Sequence, residues 1–359
     1  MPAGLHRASS LSPPVVSPLA RRTLLLAGLG ALLPAVAEAG KPQAAPRKRG
    51  HAPTPPRLNV LTFAGKITDI QRRVLFTPYE RLTHRTVTPH GWDGTTESLQ
   101  QQEQHAAGHW AAVMMEGSML QICCGLGLLA RDEGDTSANA CGPMSAAIDY
   151  AMAWDRARFD APPSWTDFWD VARHPGRRSL RRDPRTTLEI ALLADGVPAD
   201  VVYRVLATPD GQNRAFLKLE QIRPYLIWWS TPEEAARILT SGGALTGFVP
   251  TGEILGAKEA DRQRFSLNWN QRLLVQYGWG VPRSAAGDSA NLALASWLEQ
   301  PAQQQAFANA WPSLPSMQDI DASGGRLARL PPAIPVDDLF WSRNLAPIAE
   351  RFAHWIDHA

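Results

Sequence analysis

The sequence predicts an α/β fold in two parts, on three observations. Short apolar runs alternate with helix-start signals along most of the chain, the pattern of strand–helix units in parallel or mixed sheets. With 359 residues, 44% of them hydrophobic, the chain can bury a sizeable core yet exceeds the ~100–150 residues of a usual compact unit. The alternation is missing only at the N-terminus, so the body starts near Leu58.

The apolar run 58–63 suits a buried strand, and Thr68-Asp69-Ile70-Gln71 has the spacing of a capping box that starts a helix. Ile70, Val74, Leu75, Tyr79 and Leu82 form its inward stripe, and Pro78 predicts a kink. Runs 110–115 and 145–154 read as strands, and Ser164-Trp165-Thr166-Asp167 opens a short helix. Asp183-Pro184 supplies an N-cap and an N1 proline for a helix ending near Gly196. Run 226–230 is a further strand, followed by a helix that Thr231-Pro232-Glu233-Glu234 caps and Gly242-Gly243 stops. Runs 244–249, 264–268 and 274–281 complete the strand candidates. Trp341, Leu345, Ile348, Phe352 and Trp355 recur on one helical face, as in a terminal helix docked on the body.

Residues 1–39 read as a cleavable signal peptide. Arg21-Arg22 precede an apolar run that ends at Ala37-Glu38-Ala39, and adjacent arginines there point to the twin-arginine export route. The run is shorter than the ~20 residues of a membrane span. Residues 40–57 carry Lys41, Arg47, Lys48, Arg49 and Arg57 among five prolines and no acid, a composition suited to an extended tether. Beyond it acidic residues outnumber basic ones, which argues against nucleic acid as a partner.

Cys123, Cys124 and Cys141 are the only cysteines. In an exported protein an odd count implies one bridge and one spare thiol, and a Cys124–Cys141 bridge closes a short loop. Zinc is the alternative, although the usual pairs of spaced cysteines are missing.

No arrangement for catalysis emerges: G-x-S-x-G, Walker and H-E-x-x-H patterns are all absent. His105/His109 and His354/His358 stand four apart, as metal ligands on one helix face would, but lack a third partner. The expectation is no enzyme, no metal and no cofactor. Thirteen tryptophans, including Trp228, Trp229 and Trp279 near strand ends, suit either core packing or the walls of a solute pocket.

Taken in order, several stretches resemble the polyamine-type (spermidine/putrescine-like) periplasmic solute-binding proteins of ABC transporters. They are 58–63 with its helix, Asp93-Gly94-Thr95-Thr96, 124–129 before Cys141-Gly142, 163–170, 175–178, 188–196 and Ile227-Trp228-Trp229-Ser230. The resemblance implies a two-lobed, type II-like fold, each lobe a mixed sheet flanked by helices, with the ligand cleft between them. It places lobe 1 at 58–145, lobe 2 at 146–266, and a return strand with the rest of lobe 1 at 267–359. It further implies a monomer in the periplasm that captures a small molecule by closing and delivers it to an ABC permease in the inner membrane. A sensor that signals to a membrane receptor is the rival reading, and an exported enzyme a more distant one.

For the ligand site the resemblance marks Phe63, Thr95, Asp183, Tyr277 and Trp279, with Trp228 and Ser230 as further lining residues. Asp183 is also an ideal helix cap. Thr186 stands where polyamine-binding relatives can carry glutamate, Tyr277 where an acid is expected, Phe63 where tryptophan is common, and Pro250-Thr251-Gly252 in place of Trp-Asn-Gly. Loss of one buried charge partner costs ~2–5 kcal/mol, so spermidine fits poorly. A smaller amine-bearing, amino-acid-like solute, whose carboxylate Arg182 or Arg185 would meet, competes with it.

Overall fold

Leu58, Val60 and Leu61 are buried at the start of the fold in β1 (Leu58–Thr62). This is a computed structural model, and it describes residues 57–137, 139–311 and 331–358. The expected signal peptide and nearly all of the tether lie outside the described residues. No described helix is long and apolar enough to cross a membrane.

β2 (Val87–Gly91) and β3 (Trp110–Glu116) flank β1 in parallel. All seven residues of β3 are buried, as a near-continuous apolar run in the middle of a sheet requires. Antiparallel pairing then leads from β3 to β8 (Phe265–Gly280), from β8 to β4 (Met144–Asp155) and from β4 to β7 (Thr246–Pro250). β5 (Arg178–Arg181) and β6 (Leu226–Trp229) extend β7 in parallel, and the two-residue β9 (Ile334–Pro335) pairs with β8. Among the described residues the order is β2-β1-β3-β8-β4-β7-β5-β6. The long strands β4 and β8 are shared: the second half of β8 carries β3, and the second half of β4 carries β7.

The helices are α1 (Lys66–Gln71), α2 (Thr77–Thr83), α3 (Thr96–Ala106), α4 (Gly117–Gly125), α5 (Trp165–Trp169), α6 (Pro184–Ala194) and α7 (Val202–Leu206). They continue with α8 (Pro209–Glu220), α9 (Pro232–Thr240), α10 (Thr251–Leu255), α11 (Glu259–Arg264), α12 (Ser289–Leu298), α13 (Pro301–Ala310) and α14 (Asp338–Asp357). The capping box at Ser164 is present, and Thr231 caps α9 through the Glu234 amide. In α14, Trp341, Ile348 and Phe352 are buried, and Leu345 and Trp355 pack on the core beside them.

Three expectations need correction. The first helix starts at Lys66, two residues before the anticipated box: the Thr68 hydroxyl donates to the Phe63 carbonyl, and Glu253 of α10 accepts the Lys66 amide at 3.0 Å. A π-turn at Arg72–Phe76 separates α1 from α2 just before Pro78. Its wider turn shifts the phase of α2, so Leu75 and Tyr79 are buried while Leu82 is 67% exposed. Third, the candidates 264–268 and 274–281 belong to one strand with a bulge, because Tyr150 faces Leu273 and Met152 faces Asn268. The bulge is pinned by Asn268 donating to Pro163 O, by the Asn270 amide on Asn268, and by Arg272 on Asp149.

Cys124 and Cys141 are disulfide-bonded with Cα atoms 5.7 Å apart, and Cys123 is a buried free thiol. The zinc alternative therefore loses two of its ligands. His105 lies in α3 but His109 follows its end, so these two do not share a helix face. The His354 and His358 rings stack at 3.9 Å, and among the described residues no three His, Cys, Asp or Glu side chains cluster as metal ligands.

Candidate functional site

In open α/β sheets, ligands bind beyond the carboxyl ends of strands, where the chain turns away in different directions. Here β1 ends beside Phe63, β3 ends on Glu116, and β5 ends on Arg181, two residues before Asp183. Tyr277 of β8 lies directly across from Glu116, and its hydroxyl meets that of Tyr150 of β4 at 2.7 Å. Five strands thus bring an aromatic wall, two carboxylates and two arginines to one place.

The charges interlock. Arg181 Nη1 lies 2.8 Å from Glu116 Oε1, and Arg185 Nη1 lies 3.1 Å from Glu116 Oε2. Arg185 also grips Asp183 with two bonds, Nε to Oδ1 at 2.9 Å and Nη2 to Oδ2 at 2.5 Å, while Arg181 stands 3.7 Å from the same carboxylate. Glu116, Arg181 and Arg185 are all buried. Burial alone would raise the Asp183 carboxyl, but Arg185 and then Arg181 outweigh it and hold it down at about 2. On the wall, Phe63 meets Tyr277 edge-on at 5.4 Å, and Trp92 stands 6.4 Å away. The backbone at Gly94 (φ +78) presses on Phe63, since a Cβ there would lie 2.8 Å from the ring.

The end of β5 and the start of α6 supply polar atoms with no hydrogen-bond partner. Asp183 accepts the Arg185 amide at 2.8 Å as a helix cap does, but Arg185 and Thr186 are not helical, and Thr186 takes φ +67. A β-branched residue in the left-handed region is strained, and such strain collects at ligand-binding sites. The buried Thr186 Oγ1 makes no hydrogen bond, and Arg181 Nη1, though close to Glu116, lies off the line of one. Buried donors of this kind mark a place where an acceptor belongs.

Of the residues singled out from the sequence, Phe63, Asp183 and Tyr277 come together here. Thr95 caps α3 through the Ser98 amide and donates to Asp93. Trp279 packs edge-on against Phe76 in the core. Trp228 faces Phe352 and Trp355 of α14, and exposed Ser230 gives its amide to Glu234. Arg182 points away to Asp357, whereas Arg185 is at the centre. Glu116, Arg181 and Tyr150 were missed. Glu116 had a signal, being the one charge that ends the apolar run 110–116.

Comparison with known proteins agrees with this fold. The chain is 29% identical over 324 residues to the gamma-aminobutyric acid-binding protein of Pseudomonas aeruginosa, an alignment covering 83% of this chain and 90% of that one. The periplasmic binding protein MotA of Agrobacterium tumefaciens B6, solved with glucopine, shares the fold at TM-score 0.69 and 21% identity, covering 84% of this chain and 99% of that one. A solved GABA receptor shares it at TM-score 0.65 and 22% identity, with 84% and 98% covered. Residues 76–328 match the family described as bacterial extracellular solute-binding protein, and the chain belongs to that family.

Proposed function

We propose that this solute-binding protein works in the periplasm as the capture component of an ABC importer, and that its solute carries a carboxylate and an ammonium on a short chain, as γ-aminobutyric acid does. One observation carries the choice of solute: two buried arginines converge on a carboxylate, Glu116, beside aromatic rings, and Thr186, next to Arg185 in the chain, holds a buried hydroxyl with no partner. A ligand carboxylate gives Arg181 and Thr186 the acceptor they lack, and an ammonium ion suits Glu116 and the faces of Phe63 and Tyr277. A polyamine offers only cations, which supply no acceptor to Arg181 or Thr186. The GABA-binding relative and the glucopine-bound structural neighbour support an amino-acid-like solute.

The two ends of the sheet, joined by β4 and β8, are read as lobes that close over the solute. The lobe boundaries are read at 145/146 and 266/267, within β4 and β8. Residues 1–39 are read as a twin-arginine signal peptide and 40–57 as a tether, which N-terminal sequencing of the secreted protein checks.

A thermal-shift screen of GABA, longer ω-amino acids, opines, putrescine and spermidine tests the solute. A shift with an amino acid or opine is expected; a shift with the polyamines alone refutes the reading.

A further inference from the structure

Asp338, the first residue of α14, sits on the start of α4. Its Oδ1 accepts the Ser118 amide at 2.8 Å, and a Cβ on Gly117 would lie 2.2 Å from Oδ2, so glycine at 117 is what admits the carboxyl this closely. This is the bond an N-cap makes, supplied from another helix. The N-cap residue of α4 is Glu116, which makes no capping bond because both of its oxygens face Arg181 and Arg185. The Ser118 hydroxyl in turn meets Arg185 Nη1 at 3.3 Å. Ser118 therefore ties Asp338, through its amide, to Arg185, through its hydroxyl.

We propose that Asp338 is a positioning residue of the solute site: it caps α4 in place of Glu116, leaves Glu116 free for the charged cluster, holds Arg185 through Ser118, and couples its own ionisation to solute binding. The inference rests on the solute site assigned above. The charged groups facing Asp338 are Glu116 at the end of β3, Arg185 in the first turn of α6 and Asp337, the N-cap of its own helix. Burial first and Glu116 second push its carboxyl up to about 7, against the Ser118 bond and Arg185. An ammonium ion held by Glu116 cancels the stronger of the charges acting on Asp338, so Asp338 ionises more readily when solute is bound. Linkage is reciprocal, so binding tightens as pH rises through neutrality.

Calorimetry with GABA on the mature protein at pH 6, 7 and 8 reads this coupling, and the expected tightening is about five-fold or more. Asp338→Asn still accepts the Ser118 amide without the charge, so it is expected to bind with a level pH profile. Asp338→Ala and Ser118→Ala are expected to bind more weakly at every pH. A level profile in the wild type, or a slope that persists in Asp338→Asn, overturns the proposal. NMR of the Ser118 amide gives a readout that needs no solute: it is expected to titrate near pH 7 in the wild type and not in Asp338→Asn, and an amide that does not titrate also overturns it. A protein that binds no solute in the screen yet shows the Ser118 titration refutes the solute assignment while upholding the cap.

Discussion

Glu116 and Arg185 meet at 3.1 Å where the end of β3 faces the non-helical first turn of α6. The two residues belong to strand groups that share only β4 and β8, so this buried pair ties the two ends of the sheet together. Arg181 and Asp183 complete the cluster. It is compact enough that a change in any one partner is felt by the others.

Glu116→Gln leaves Arg181 and Arg185 with Asp183 alone. Breaking one side of a buried ion pair typically costs about 3–5 kcal/mol. A lower thermal midpoint and loss of solute binding are expected together; a midpoint within a degree of the wild type contradicts the burial of the pair.

Asp183 has two tasks that substitutions separate. Asn caps helices as well as Asp does, so Asp183→Asn keeps the bond to the Arg185 amide and removes only the charge that faces Arg185 and Arg181. Asp183→Ala loses both, with about 1 kcal/mol expected from the cap alone. Denaturant melts should place Asn above Ala in stability, while calorimetry should show both binding the solute poorly. Undiminished binding in Asp183→Asn would leave Asp183 a cap and nothing more.

Two buried carboxyls and one half-buried one set the pH dependence of stability. Burial raises Glu189, Glu253 and Asp338 each to about 7. Between the ordinary carboxyl values of about 3.9–4.3 and about 7, the folded protein binds more protons than the unfolded chain. These groups therefore cost stability as pH rises through that window, and the cost is complete above it. Asp183, held at about 2, acts oppositely, and its contribution is lost only as pH falls towards 2. Glu189→Gln can still accept from Tyr203 and Trp341, which both bond Glu189 Oε1. Thermal melts at pH 5 and pH 8 should show a smaller loss of midpoint in this variant than in the wild type; an unchanged difference assigns the effect elsewhere.

The Cys124–Cys141 bond spans 17 residues of sequence. Loop closure of this length is worth about 3 kcal/mol. Cys141→Ser, or reduction with dithiothreitol, should lower the denaturant midpoint, and reduction should have no further effect on the variant.

Much of the fold could be read from the sequence because local chemistry decides it. The capping box at Ser164, the apolar run of β3 and the stripe Trp341–Ile348–Phe352 all behave as their spacing says. Failures came where a distant group overrides local preference. Glu253 caps the first helix from α10, so the helix starts before its own box, and the bulge in β8 is fixed by Pro163 and Asp149. The site was harder still. Resemblance marks Phe63, Asp183 and Tyr277, which the fold brings near one another, whereas Arg181 and Glu116 meet only once β5 and β3 point at one another. Trp228 and Trp279 look like pocket walls in sequence but pack on α14 and on the core.

Calorimetric titration of the mature wild-type protein with GABA and with putrescine, side by side, tests the reading of the site as one for a solute with both charges. Saturable heat with GABA and none with putrescine is the predicted result. Saturable heat with putrescine and none with GABA would contradict it, because the two buried arginines would then face a ligand that has nothing to offer them.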